Sequence, residues 1–256
     1  MLRASRDTVR KTLPAIAYGL ASIAVLALIA LALAGPLYRF GFFEFGQSVT
    51  LMRYAAWAGV LMLLLAIVPL GLALYLGGVM RAAVACGLAM VLGIATAWVP
   101  FSWQQTAQSV PPIHDISTDT QNPPAFRAIA PLRAEAPNPV EYAGEETAEQ
   151  QKEAYPDIET LRFQRPAEDV LDASVTVSQA MGWELVSVDA DNGYLEATAT
   201  TPWFGFKDDV VIRIRATAEG SELDIRSKSR IGGSDLGTNA ERIREFREQL
   251  TRRLNG

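Results

Sequence analysis

Side chains able to carry out chemistry fall in three short stretches of this 256-residue chain. The only histidine, His114, stands beside Asp115 and shortly before Asp119. An imidazole next to a carboxylate is material for an acid–base pair or for part of a metal set. One His and two Asp on a loop are few ligands, and Asp119 equally suits a turn. The second stretch, Asp208-Asp209, offers two carboxylates to a hard cation. Adjacent residues of a strand point to opposite faces, however, so the two do not converge. Asp209 is expected to pair with Arg230, whereas Asp208 faces the core and needs a buried partner from the backbone or from hydroxyls.

The third stretch is basic. Arg226, Lys228 and Arg230 alternate onto one strand face, with Arg213 opposite, and Gly232-Gly233-Ser234-Asp235 then leads into a helix N-terminus. Backbone N–H groups beside cations can hold a phosphate, sulfate or carboxylate. The glycine pattern fits no phosphate-loop fingerprint. Trp203, Phe204 and Phe206 are placed to line a groove beside it. The same cations also suit a self-satisfied charge network, and aromatic residues at a strand junction suit a core; as residues that bind an anionic ligand the candidates are Arg213, Arg226, Lys228, Arg230, Ser234 and Trp203. The alternative is an enzyme using His114, Asp115 and Asp208. No Gly-x-Ser-x-Gly elbow is present, and neither a cofactor nor a resident metal is expected.

These residues sit on a chain with two unlike halves. From Leu13 to Phe101 the only charged residues are Arg39, Glu44, Arg53 and Arg81, whereas from Gln104 onward 26 Asp and Glu face 16 Lys and Arg, a net charge of −10. That acidity excludes nucleic acid, which needs a basic surface. The single cysteine, Cys86, falls in the apolar half, so the acidic half has no disulfide and no thiolate chemistry.

Three apolar runs, Leu13–Ala34, Tyr54–Leu76 and Ala82–Val99, each approach or exceed the roughly 20 residues that cross a bilayer. Arg3, Arg6, Arg10 and Lys11 precede the first against Asp7 alone, which puts the N-terminus in the cytoplasm and, after three crossings, the acidic half on the far side. Arg39 and Arg53 in the first loop dissent mildly. Ala85, Ala89, Gly93 and Ala97 form a small-residue stripe suited to close helix packing. The organisation expected is a cytoplasmic N-terminus (1–12), a three-helix anchor (13–103) and a soluble extracytoplasmic domain (104–256).

In the soluble half, a Pro-rich passage from Val110 to Pro124 reads as an ordered, draped loop. A short surface helix is expected over Glu145–Ala154 and a strand over Ile158–Phe163. With Pro166 at its first turn and Gly182 past its end, a helix buries Val170, Ala173, Val177 and Met181. Asp191-Asn192-Gly193 and Glu219-Gly220 each join two strands. The second turn, taken as two residues, sets Arg215 against Asp224, Asp209 against Arg230 and Arg213 against Arg226. A capping box of Thr238 and Glu241 opens a last helix that buries Ile243, Phe246, Leu250 and Leu254. The fold class is α+β: three membrane helices, then β-α-β-β-β-β-α with a four- to five-stranded antiparallel sheet, helices on one face and the basic cluster on the open one.

Four passages together resemble a known family. They are Pro111-Pro112-Ile113-His114-Asp115-Ile116-Ser117-Thr118-Asp119 with Asn122-Pro123-Pro124; Tyr155-Pro156-Asp157-Ile158; Thr201-Pro202-Trp203-Phe204-Gly205-Phe206-Lys207-Asp208-Asp209; and Arg226-Ser227-Lys228-Ser229-Arg230 with Ser234-Asp235-Leu236-Gly237-Thr238-Asn239-Ala240. The chain is similar through them to the family labelled domain of unknown function 1499. The resemblance implies a domain of the bacterial envelope or of plastid type, often behind membrane spans, and supplies no catalytic residues. The expectation is a multi-pass inner-membrane protein whose periplasmic domain binds an anionic small molecule or an envelope protein partner.

Overall fold

The structure, a computed structural model, describes residues 2–255, and side chains from Arg6 onward. Arg3, used above to argue orientation, therefore has its side chain outside the described set. The chain forms two compact units: residues 1–105 with Trp203–Gly205, and residues 106–202 with 206–256.

The first unit holds helices α1 (Leu2–Arg39) and α2 (Phe45–Leu76) and most of α3 (Met80–Ser109). All three are long and apolar enough to cross a membrane. They run several residues beyond the apolar stretches that announce them. Pro14, Pro36, Pro69 and Pro100 lie within them without ending them. The small-residue stripe packs inside the unit: Ala85, Ala89 and Gly93 are buried. A Cβ on Gly93 would stand 2.5 Å from the Gly59 carbonyl oxygen, and one on Gly59 would stand 2.9 Å from that of Gly93. Only two glycines permit this backbone approach of α2 to α3.

The second unit is built on one antiparallel sheet of β1 (Asp115–Ser117), β2 (Leu161–Phe163), β3 (Glu184–Asp189), β4 (Tyr194–Thr200), β5 (Lys207–Thr217) and β6 (Gly220–Ser229). The order is β1-β6-β5-β4-β3, with β2 also on the outer edge of β6. Helices α5 (Ala167–Ala180) and α6 (Thr238–Asn255) cover one face. Val170, Leu171, Val177, Ile243, Phe246 and Leu250 pack there on Leu195, Val210, Ile212, Ile214, Leu223 and Ile225. Both apolar stripes and both sheet faces are as the periodicity requires.

Four details differ from expectation. The β5–β6 turn is Ala218-Glu219, since Thr217 pairs with Gly220, and the register places Arg213 against Asp224 and Arg215 against Glu222. A shift of two residues keeps every side chain on its face, so the period-2 pattern could not detect it. Pro166 is the N-cap of α5 rather than its first helical residue. Strand β1 is new, because three residues between prolines carry no periodic signal. Its outer edge is closed by Gln151 of α4 (Glu145–Ala154), whose side-chain amide accepts from Ser117 N–H at 3.0 Å and donates to Ser117 C=O at 2.7 Å.

The fourth difference is the largest. The face expected to be open is covered by residues 118–143, a strap with one 3₁₀ turn at Ala130–Arg133 and a small core of Phe126 and Ile129 on Tyr194 and Val211.

Gly93→Leu forces the α2 and α3 backbones apart, an overpacking that costs about 1–3 kcal/mol. We expect a lower thermal midpoint for the full-length variant in detergent. An unchanged midpoint would show that the glycine contact carries no weight.

Candidate functional site

Each cation proposed for ligand binding lies under the strap or at its edge and has partners within the domain. Arg226 is 2 % exposed and Lys228 1 %. The Arg226 guanidinium grips Asp115 through two hydrogen bonds of 2.8 and 2.9 Å and donates to the strap carbonyls of Pro124 and Val140. Lys228 Nζ lies 3.0 Å from Asp115 Oδ2, the oxygen that also accepts from Arg226 Nη2, and donates a short hydrogen bond to Glu141 C=O. Arg213 donates to Asp224 at 2.8 Å and to Asp119 at 3.0 Å. Arg230 grips Asp209 with two bonds of 2.8 Å, and the strap's own Arg133 stands 3.3 Å from the same carboxylate. Arg215 still reaches Asp224 at 2.8 Å, now diagonally. The expected Asp209–Arg230 and Arg215–Asp224 ion pairs therefore form, although the register beneath them has moved by two.

Burial sets the protonation here. It pulls Lys228 below the usual lysine range, against the opposing pull of Asp115. It also lowers Arg133 from the usual arginine range and pushes the Tyr142 hydroxyl up to about 12. Glu196, which sequence reading passed over, accepts three strap N–H groups, from Arg127 and Ala128 at 2.9 Å and Ile129 at 2.8 Å. A lone glutamate facing outward on a strand gives no sign that it will meet a folded-over loop.

The candidate catalytic residues are held in separate arrangements. Asp115 is committed beneath the strap. Asp208 lies on the helix face, where Arg242 of α6 bonds it at 2.6 Å in place of the expected backbone or hydroxyls. Arg242 also donates to Asn239, and Asn239 reaches Ser229 Oγ at 3.0 Å and the His114 carbonyl at 3.1 Å. The His114 imidazole is held below its usual pKa by burial and then by Lys228. Among the described residues no three His, Cys, Asp or Glu groups converge as a metal set.

The loop of Ser234 proves self-occupied. Asp235 accepts from Gly237 N–H at 2.9 Å and Asn239 N–H at 2.8 Å, and Ser234 Oγ accepts from Leu236 N–H at 3.2 Å. The N-terminus of α6 is thus capped by Asp235, where Thr238 was expected to cap it. Burial raises the Asp235 carboxyl. Trp203 falls in the first unit, its ring edge-on to Trp103 at 5.4 Å.

A concavity lies elsewhere in the second unit. A groove of about 720 Å³ runs between the ends of α5 and β4 and the start of α6. Its apolar wall includes Val110, Met181, Trp183 and Leu236, and Thr238, Glu241, Arg242, Arg244 and Glu245 supply the polar one. Arg242 is spent on Asp208, and Arg244 on Asp157 through bonds of 2.8 and 2.7 Å. The Arg244 guanidinium holds the Asp157 carboxyl at about 2, well below the usual carboxylate range. Tyr155 also lines the groove; it is 7 % exposed and its hydroxyl has no hydrogen-bond partner among the described residues. Leu236, at φ 55°, is the only described non-glycine residue in left-handed backbone, a conformation kept where surroundings over-determine it.

Residues 115–250 match the family described as Protein of unknown function (DUF1499). The chain belongs to that family. No curated protein and no solved structure matches it. The DUF1499 match opens on Asp115 and closes on Leu250, the last fully buried residue of α6. It thus takes in strap, sheet, charge network and all of the groove lining except Val110, and leaves out the three apolar helices.

Removing the Asp115 carboxylate leaves Arg226 and Lys228 buried without a counter-charge, which costs about 3–5 kcal/mol. Asp115→Ala should lower the thermal midpoint of the full-length protein by about 10 °C. Lys228→Met keeps Asp115 matched by Arg226 and should shift it by a few degrees at most. Equal losses in both variants would refute this account of the network.

Proposed function

We propose that this chain is a membrane-anchored, non-catalytic binding protein of the bacterial envelope, and that its ligand occupies the groove beside Tyr155 rather than the Arg226 strand. The observation that carries the reading is the groove itself, with a buried tyrosine hydroxyl left unpartnered at its wall. Buried polar groups are normally hydrogen-bonded, and an orphan beside a concavity has its partner in whatever enters. The cations of β6 cannot serve as a surface for ligands, since their donors are committed to Asp115, Asp209 and strap carbonyls. An enzyme built on His114, Asp115 and Asp208 gains no support from residues engaged on opposite faces of one sheet.

The three apolar helices support integration in the inner membrane. The excess of Arg6, Arg10 and Lys11 over Asp7 supports a cytoplasmic N-terminus, with residues 104–256 in the periplasm. Alkaline phosphatase fused after Gly256, a reporter active only outside the cytoplasm, should be active, whereas a fluorescent-protein fusion at the same point should be dark. The reverse pair of results overturns the orientation.

Binding is tested by thermal shift on the full-length protein in neutral detergent, with glycerophosphoethanolamine, glycerophosphocholine, inorganic phosphate and magnesium as probes. At a concentration near 100 Kd a groove ligand adds about 2.7 kcal/mol, a rise of about 5 °C or more. The rise should disappear in Thr238→Trp, which places a large ring at the exposed start of α6 on the groove wall. A shift seen equally in both proteins, or none with any probe, refutes a groove site.

A further inference from the structure

We infer that the occupant of the groove is a bilayer lipid with a primary-amine headgroup, of the phosphatidylethanolamine type. The inference rests on the groove reading above and specifies its ligand.

Three independent features point to this chemistry. The first is reach. Val110, part of the apolar wall, directly follows Ser109, the last residue of α3. Its wall is therefore covalently tied to a helix apolar enough to cross a membrane. From Phe101, at the end of the apolar stretch, to Val110 is nine residues, about 14 Å of helix at 1.5 Å each. The second is amphipathy: Val110, Met181, Trp183 and Leu236 offer surface to acyl chains, and Thr238, Glu241 and Glu245 line the same groove.

The third is charge. The two groove arginines are committed to Asp208 and Asp157. Glu241, its side chain 76 % exposed, stands 3.8 Å from Arg244, and Glu245 accepts only a neutral amide, from Gln249, among the bonds resolved here. The groove therefore presents carboxylates to a newcomer and selects an ammonium over an anion. An ammonium with N–H donors satisfies them, and Tyr155 Oη, close to Gly237 on the same lining, is a donor for a phosphodiester oxygen. A headgroup that carries both groups is a phosphoethanolamine. A volume near 720 Å³ suits the headgroup and the upper acyl chains.

The test uses the full-length protein reconstituted in vesicles of equimolar phosphatidylethanolamine and phosphatidylglycerol, then extracted in mild detergent and weighed by native mass spectrometry. Two weak charge contacts give a preference of about five-fold for the amine lipid. The ratio should fall to about one in Glu241→Gln/Glu245→Gln, and the bound lipid should disappear in Thr238→Trp. Thermal midpoints of both variants within a few degrees of wild type show that they fold. The same lipid ratio in all three proteins means annular lipid and overturns the proposal. Lipid that leaves in Thr238→Trp but shows no amine preference overturns the headgroup assignment while leaving the groove reading intact. If no lipid is retained while a lysine-rich peptide raises the midpoint of wild type alone, the groove is a peptide site and the lipid is wrong.

Discussion

The second unit depends on one carboxylate. Asp115 opens β1, is fully buried, and takes two of the three guanidinium nitrogens of Arg226, the ammonium of Lys228 and the strap N–H of Ala143. With Asp209 it faces four cations, Arg133, Arg226, Lys228 and Arg230. Two carboxylates cannot neutralise four cations, and an uncompensated buried charge costs several kcal/mol. The surplus donors end on carbonyls of the strap: Pro124, Leu132, Asn138, Val140 and Glu141. The strap is thus the solvent of the sheet's cations. Apart from the 3₁₀ turn at Ala130–Arg133 it forms no helix or strand, and these carbonyls point at side chains. If it left, Arg226 and Lys228 would regain water, but Phe126 and Ile129 would lose their packing and Glu196 its three donors.

How far this could be read from sequence follows from the range of each signal. Helices and strands repeat a local pattern, so α5, α6 and the β3–β4 and β5–β6 hairpins stand where Val170, Ile243, Gly193 and the alternation of Val210 to Ile214 put them. The sheet faces were legible for the same reason. Register was not, because a two-residue shift preserves alternation and only the turn Ala218-Glu219 distinguishes the alternatives. The strap's role was illegible because its partners lie far away in sequence. Arg226 meets Asp115 across 111 positions and Arg127 N–H meets Glu196 across 69. A basic strand read without its cover looks like a binding surface; with its cover it is an interior. The groove was missed for the complementary reason. It is assembled from Val110, Tyr155, Met181–Trp183, Ala199–Pro202 and residues of 236–245, and no local pattern announces that these meet.

The two faces of the sheet have consequently taken different physical duties. The strap face is filled with committed hydrogen bonds, so a substitution there is felt as lost stability. On the helix face the Asp208–Arg242–Asn239 chain fixes α6 to β5 and β6 by polar contacts at one end, and Phe246 stacked on Trp183 holds it at 5.5 Å by apolar ones. Between these two attachments the helix start and the end of β4 leave a gap, which is the groove.

The distribution of charge then limits what can approach. From residue 104 onward five cations are buried, Arg133, Arg213, Arg226, Lys228 and Arg242, and so are five carboxylates, Asp115, Glu196, Asp208, Asp209 and Asp224. Taken whole, the interior is balanced, so the net charge of −10 stays in the part that water reaches. Eleven cations and 21 carboxylates remain there, close to one against two. Such a surface repels a free phosphate or a sulfated sugar over a Debye length of about 8 Å before any contact is made. It also repels an anionic lipid. An ammonium-bearing headgroup is attracted by the same field, and a neutral zwitterion is not turned away by it. Burying its arginines under the strap therefore does more than stabilise the domain, because it takes from the surface the cations that an anionic ligand would need.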